Sequence, residues 1–178
     1  MMYVRVDQER LGALIGPEGS VKKQIEEKSG CRLLIESKTG DVTITDGTKP
    51  ELQLNARDVV SAIAAGFSPE KAFKLFDNDY YFFAYDIRDF AGKDIKDVQR
   101  VRARVIGAEG RTRKLVEELA EVEVSVFYNT VAIIGDLLAL DVARRAVEML
   151  LDGSEHAAVY HFLENKRKDL KFAKWGMS

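Results

Sequence analysis

Residues 14–27 read LIGPEGSVKKQIEE and residues 105–118 read VIGAEGRTRKLVEE. Aligned without a gap, they share Ile15/Ile106, Gly16/Gly107, Glu18/Glu109, Gly19/Gly110, Lys23/Lys114, Glu26/Glu117 and Glu27/Glu118, seven identities in fourteen positions. Leu14/Val105 and Ile25/Val116 are conservative pairs. The likeness continues downstream, where Arg32–Glu36 and Val42–Gly47 face Val122–Val126 and Val131–Asp136. Internal similarity of this kind marks two copies of one structural unit, which we place at residues 1–78 and 79–178.

Both copies predict the same order of elements. In the first, Tyr3–Val6 alternates as a short strand, and a helix over Gln8–Ile15 runs into Gly16-Pro17-Glu18-Gly19. A second helix reaches about Lys28 and stops at Ser29-Gly30. Leu33/Ile35 and Val42/Ile44 predict two strands joined by the turn-rich Ser37–Asp41. Val59, Val60, Ile63, Ala64 and Phe67 repeat at helical spacing. Ser68-Pro69-Glu70 then restarts a helix, with Ser as N-cap and Pro in its first turn. The second copy opens on the β-prone Tyr80–Ile87. A helix over 96–106, Gly107-Ala108-Glu109-Gly110 and a helix to about Ala120 come next. Strands at 122–127 and 131–134 and a helix over 138–151 complete the copy. A last amphipathic helix, with Ala158, Val159, Phe162 and Leu163 inward, ends in a basic tail from Lys166 to Trp175.

The 178 residues carry 46% apolar and 31% charged side chains, enough for a core. Twenty-seven Lys and Arg against 29 Asp and Glu give a formal net charge of −2, so only a local patch could attract nucleic acid. The single cysteine, Cys31, excludes an intrachain disulfide and a Cys-based structural zinc site, and fits a cytoplasmic location. The start lacks the apolar run of a signal peptide, and no stretch is apolar for long enough to span a membrane. The two histidines, His156 and His161, stand five apart and miss the facing spacing of a helix. Neither HExxH nor GxSxG is present. We therefore expect no catalytic residues, no metal and no cofactor.

A glycine pair that joins two helices through two residues permits backbone angles that most residues resist. The following helix starts there, so its free N–H groups and positive dipole end face the loop, an arrangement suited to phosphodiester oxygens. A P-loop is excluded, because neither loop has its spacing and both follow helical patterns. Strand, helix, GxxG, helix, strand, strand, helix is the KH order, in which such a loop clamps about four nucleotides of single-stranded RNA. The chain resembles a tandem KH protein. Two strands after the second helix predict an α+β fold of two type I KH domains with a C-terminal helix.

Ala62–Phe76 and Ala146–Tyr160 are similar to segments of the Partner-of-Nob-one/Dim-two family of ribosome-assembly proteins, relatives of Krr-one, in its short archaeal form. That resemblance implies binding to small-subunit ribosomal RNA near its 3′ end during pre-rRNA processing. It also implies contact with the endonuclease that trims that end, with a translation initiation factor as a further partner. Lys22 and Arg113 stand where a common KH pattern has an aliphatic residue. Acidic Glu18 and Glu109 sit inside the loops, and Pro17 removes one backbone donor.

Local charge ranks the two loops. Residues 100–114 hold Arg100, Arg102, Arg104, Arg111, Arg113 and Lys114 against Glu109 alone, a net +5. Residues 5–23 hold four cations against three carboxylates, a net +1. Phosphate neutralisation supplies much of nucleic-acid affinity. The expected RNA surface is therefore Gly107, Ala108, Glu109, Gly110, Arg111, Arg113 and Lys114, with Arg100 and Arg104 beside them. Gly16, Pro17, Glu18, Gly19, Lys22 and Lys23 form the weaker counterpart. Phe127 and Tyr128 are candidates for stacking on a base. A protein-interaction scaffold whose KH-shaped domains no longer hold RNA is the alternative.

Overall fold

The computed structural model describes residues 1–45 and 47–176, so Asp46 of the repeat lies outside the described residues. The chain divides into two units, Met1–Tyr80 and Tyr81–Ser178.

The first unit runs β1 (Met2–Arg5), α1 (Gln8–Ile15), α2 (Ser20–Ser29), β2 (Arg32–Glu36), β3 (Asp41–Thr45), α3 (Pro50–Ala64) and α4 (Pro69–Ala72). A 3-10 turn at Phe73–Phe76 follows. The sheet is antiparallel with β3 in the centre, Val4 opposite Val42 and Leu33 opposite Ile44. Alternation sends Leu33, Val42 and Ile44 inward, where they meet Leu14, Ile25, Val59 and Ile63 in a core closed to solvent. Gly30 ends α2 in the left-handed conformation (φ +69°) and donates its N–H to Glu26 O. Pro50 opens α3, where its missing N–H costs nothing. The expected N-cap forms: Ser68 Oγ accepts from Lys71 N at 3.4 Å.

The second unit runs β4 (Tyr81–Asp86), α5 (Arg88–Ala91), α6 (Ile95–Ile106), α7 (Arg111–Ala120), β5 (Glu123–Phe127), β6 (Thr130–Gly135), α8 (Leu137–Leu151) and α9 (His156–Trp175). Its sheet repeats the first, antiparallel with β6 between β4 and β5. Asp94 and Asp136 cap α6 and α8 by accepting from Lys96 N (2.8 Å) and Ala139 N (2.9 Å). Val105, Val116, Val124, Val131, Ile133, Ala146 and Leu150 fill the core. Both units are therefore α+β with the element order and central third strand of a type I KH domain.

Three features depart from the sequence reading. The short helix α5 was not foreseen. Ala158 is exposed, while Val159 and Leu163 face inward as expected, Phe162 packs partly buried against the core, and Leu170 joins them. The basic stretch after Leu163 is no tail but the second half of α9, a helix of 20 residues. This helix runs parallel to α7: Tyr160 meets Thr112 at one end, and Lys174 pairs with Glu121 at the other. That lysine, with Arg167 and Lys171 nearby, holds the Glu121 carboxyl below its ordinary range. No helix among the described residues is long and apolar enough to cross a membrane.

Candidate nucleic-acid interface

The two glycine loops share one backbone. Gly16, Glu18 and Gly19 adopt φ/ψ of 75/173°, 54/28° and 76/14°. Gly107, Glu109 and Gly110 adopt 75/171°, 56/27° and 74/13°. The first glycine of each loop occupies a region that is essentially closed to other residues. Space imposes the same choice. A Cβ on Gly107 would lie 2.7 Å from Thr112 Cβ and N, and one on Gly16 would lie 2.8 Å from Val21 Cβ and N. Between the glycines, Glu18 and Glu109 hold left-handed conformations unusual for a side-chain-bearing residue. The loop is thus a fixed shape with helix α2 or α7 starting directly from it.

The loops rest on different supports. Under the first lies the buried, apolar Val21. Under the second lies Thr112, 2% exposed, with its hydroxyl 3.0 Å from Tyr160 OH. Tyr160 stacks on His156, whose Nε2 lies 3.0 Å from Arg104 O (ring centroids 6.1 Å apart). Neither Thr112 nor Tyr160 stood out in the sequence, since an isolated Thr and Tyr carry no periodic signal.

The expected cations separate into two groups. Arg111 and Lys114 are exposed in the first turn of α7, beside Gly110. Arg100 is exposed and only loosely paired to Asp97, at 3.4 Å. The others have structural partners. Arg113 Nη1 donates to Glu117 Oε1 at 2.7 Å and leans on Val124 O. Arg104, half-buried, donates to the carbonyls of Leu150 and Ser154 at the end of α8. Arg10 does the same for α3, donating to Ile63 O (2.9 Å) and Phe67 O (2.8 Å). In the first unit Lys22 lines a cleft with Leu33, Leu34, Ile35, Glu36, Asp41 and Thr43. Lys23 is exposed one residue further on.

One repeated glutamate joins helix to strand in both units. Glu26 Oε2 accepts from Leu33 N at 3.0 Å, and Glu117 Oε2 accepts from Val124 N at 3.1 Å. These contacts anchor the edge strand beside the helix that leaves each loop. In the second unit the space between α6 and the β5–β6 turn opens into a cleft of about 380 Å³, lined by Arg88, Lys93, Ile95, Val98, Gln99, Arg102, Tyr128 and Asn129. Most of these residues had not been singled out, because α5 and the turn meet α6 only in the folded chain.

Comparison with known proteins places this geometry. Residues 1–61 match the KH domain family, and residues 81–168 match the second-domain model of PNO1, described as eukaryotic type KH-domain (KH-domain type I). A KH domain-containing protein of Methanocaldococcus jannaschii is 44% identical over 175 residues, 97% of this chain and 76% of that one. The chain belongs to the PNO1/Dim2p family. Among solved structures, Dim2p of Pyrococcus horikoshii in its a/eIF2alpha–aDim2p–rRNA complex is 40% identical, with a TM-score of 0.86 and 94% of each chain covered. The pre-rRNA-processing protein PNO1 of Debaryomyces hansenii is 28% identical over 138 residues, 77% of this chain. This chain spans only 52% of that yeast relative. The PNO1/Dim2p resemblance read from Ala62–Phe76 and Ala146–Tyr160 is thereby borne out.

Proposed function

We propose that the chain binds single-stranded small-subunit ribosomal RNA, near its 3′ end, during ribosome assembly and pre-rRNA processing. One observation carries this reading. The loop Gly107–Gly110 has a sterically enforced shape, and exposed Arg111 and Lys114 stand in the helical turn that leaves it. Backbone N–H groups at a helix start together with free cations suit a phosphodiester strand. The rRNA in the complex of the Pyrococcus horikoshii relative supports the ribosomal assignment.

The protein acts here by binding, without chemistry of its own, in the cytoplasm. The endonuclease that trims the rRNA 3′ end is one protein partner. The α subunit of a translation initiation factor is another, in keeping with the a/eIF2alpha of the relative's complex. The first unit is the weaker RNA clamp and the surface for a protein contact, because Pro17 and Glu18 occupy its loop and Glu36 and Asp41 line its cleft.

Crosslinking in cells followed by sequencing of the bound RNA tests the assignment. Enrichment of the 3′ region of small-subunit rRNA is expected. Recovery of mainly messenger RNA would overturn the ribosomal reading and leave the loop reading intact. Unchanged RNA binding after acidic substitution of both loops would favour the scaffold instead.

A further inference from the structure

The outer face of α9 carries rings and cations that neither the core nor the loop uses. Leu163 and Leu170, seven residues apart, turn inward and fix which side of the helix meets the core. The other side presents Lys168, Lys171, Phe172 and Trp175, at the i, i+3, i+4, i+7 spacing that sets four residues side by side. All four are exposed, and Trp175, at 83%, is the most exposed large apolar side chain among the described residues. Phe172 beside it is 68% exposed.

The charge of this segment is opposite to that of the whole chain. Within residues 165–175, Lys166, Arg167, Lys168, Lys171 and Lys174 stand against Asp169 alone, and Glu121 at the end of α7 faces Lys174. Five cations against two carboxylates leave a net +3, on a chain whose total is −2. We propose that this face of α9 is a second RNA-binding surface, on which unpaired bases stack on Phe172 and Trp175 while Lys168 and Lys171 neutralise their phosphates. The proposal rests on the reading that the chain binds single-stranded RNA.

Chemistry and position support it. An exposed ring accepts the face of any base, and cations set between rings follow the backbone; single strands are held in this way without readout of sequence. An acidic peptide would satisfy the lysines alone, whereas a nucleotide satisfies lysine and ring together. The surface is joined to the second loop by one helix. Tyr160 lies against Thr112 beneath Gly107, and Phe172 follows Tyr160 by twelve residues, about 18 Å along α9 at 1.5 Å per residue. An RNA longer than the stretch the loop holds bridges that distance. Two contacts on one strand then reinforce each other, because the second forms at a high effective concentration.

Trp175 is the single tryptophan of the chain, so its fluorescence reports on this face alone. The test is a titration of the full chain with a single-stranded RNA of about 16 nucleotides from small-subunit rRNA. Trp175 emission is followed with unlabelled RNA, and anisotropy with the same RNA end-labelled. Quenching of Trp175 along the anisotropy curve is expected. Phe172→Ala, which places a strong helix former at an exposed position, should weaken binding of this RNA about tenfold. Lys168→Ala/Lys171→Ala should make the log–log salt dependence shallower by about 1.4. An RNA of about four nucleotides, which fills the loop only, should bind the wild type and both variants alike. Constant Trp175 emission while anisotropy saturates would overturn the α9 proposal alone, as would equal losses for the short and the long RNA in the variants. No anisotropy change with the wild type would overturn the RNA reading on which it rests.

Discussion

Thr112 Oγ1 and Tyr160 OH lie 3.0 Å apart beneath the second glycine loop. The same threonine fills the space that a side chain on Gly107 would need. The last helix of the unit therefore reaches the loop through one hydroxyl pair, buried on the Thr112 side and half-buried at Tyr160, whereas the first loop sits on the methyl groups of Val21.

Removing the Tyr160 hydroxyl leaves that of Thr112 buried without this partner, which costs about 1–3 kcal/mol. Tyr160→Phe should lower both stability and RNA affinity. Thr112→Val in the same background should recover part of each, because a methyl then replaces the orphaned hydroxyl. Denaturant unfolding and anisotropy on the four members of the cycle check this. Strictly additive losses would disprove the coupling.

The two glycines of the loop should respond differently to alanine. At Gly110 an added Cβ meets only side-chain ends at 3.9 Å, so the cost is the positive φ, roughly 1–2 kcal/mol. At Gly107 the same methyl meets Thr112 as well. Gly107→Ala should be the more destabilised variant and should lose RNA binding. Thermal unfolding of both variants gives the order, and equal melting temperatures would contradict it.

Cations that touch phosphate and cations that touch carbonyls can be told apart by salt. If about three phosphates are neutralised, log affinity should fall with log salt at a slope of roughly −2. Arg111→Ala or Lys114→Ala should each make the slope shallower by about 0.7. Arg104→Ala should lower the melting temperature through its lost carbonyl contacts and leave the slope alone. Ala108→Asp/Glu109→Asp should abolish most binding, and Pro17→Asp/Glu18→Asp should do less. Salt titrations of one short RNA across these variants supply the comparison.

Burial, and then the 2.6 Å hydrogen bond to Glu148, push the Tyr85 hydroxyl up to about 12 from an ordinary value near 10, with Arg144 opposing. The folded state thus keeps the proton longer than the unfolded chain. Stability from this group is complete below pH 10 and is lost as pH rises through about 12. In an ultraviolet titration of the six tyrosines, one phenolate should form last, and Tyr85→Phe should remove that step. A titration unchanged by Tyr85→Phe would refute the assignment.

The repeat carried most of the fold, because a loop that must bend at two glycines and two helices that must flank it leave a dense local signal. Gln8–Ile15 was read to the residue and α8 to within one. Local rules stopped short where distant residues decide. Arg104 looked like its neighbour Arg100 until α8 brought Leu150 and Ser154 to it. Arg113 is similarly engaged by Glu117. The charge run from Lys166 hid a helix whose inward Leu170 stands seven residues after Leu163, a spacing that was there to be read. The cleft was illegible for another reason: its walls come from residues 88–95, helix α6 and the β5–β6 turn, which share no motif.

A polypeptide is made from its N-terminus, and Thr112 precedes Tyr160 by 48 residues. The glycines of the second loop are synthesised first, and the hydroxyl that steadies them arrives only with α9. Their anchor is among the last parts of the unit to exist. A partly made or shortened chain that stops before Tyr160 carries the complete loop sequence without the support beneath it.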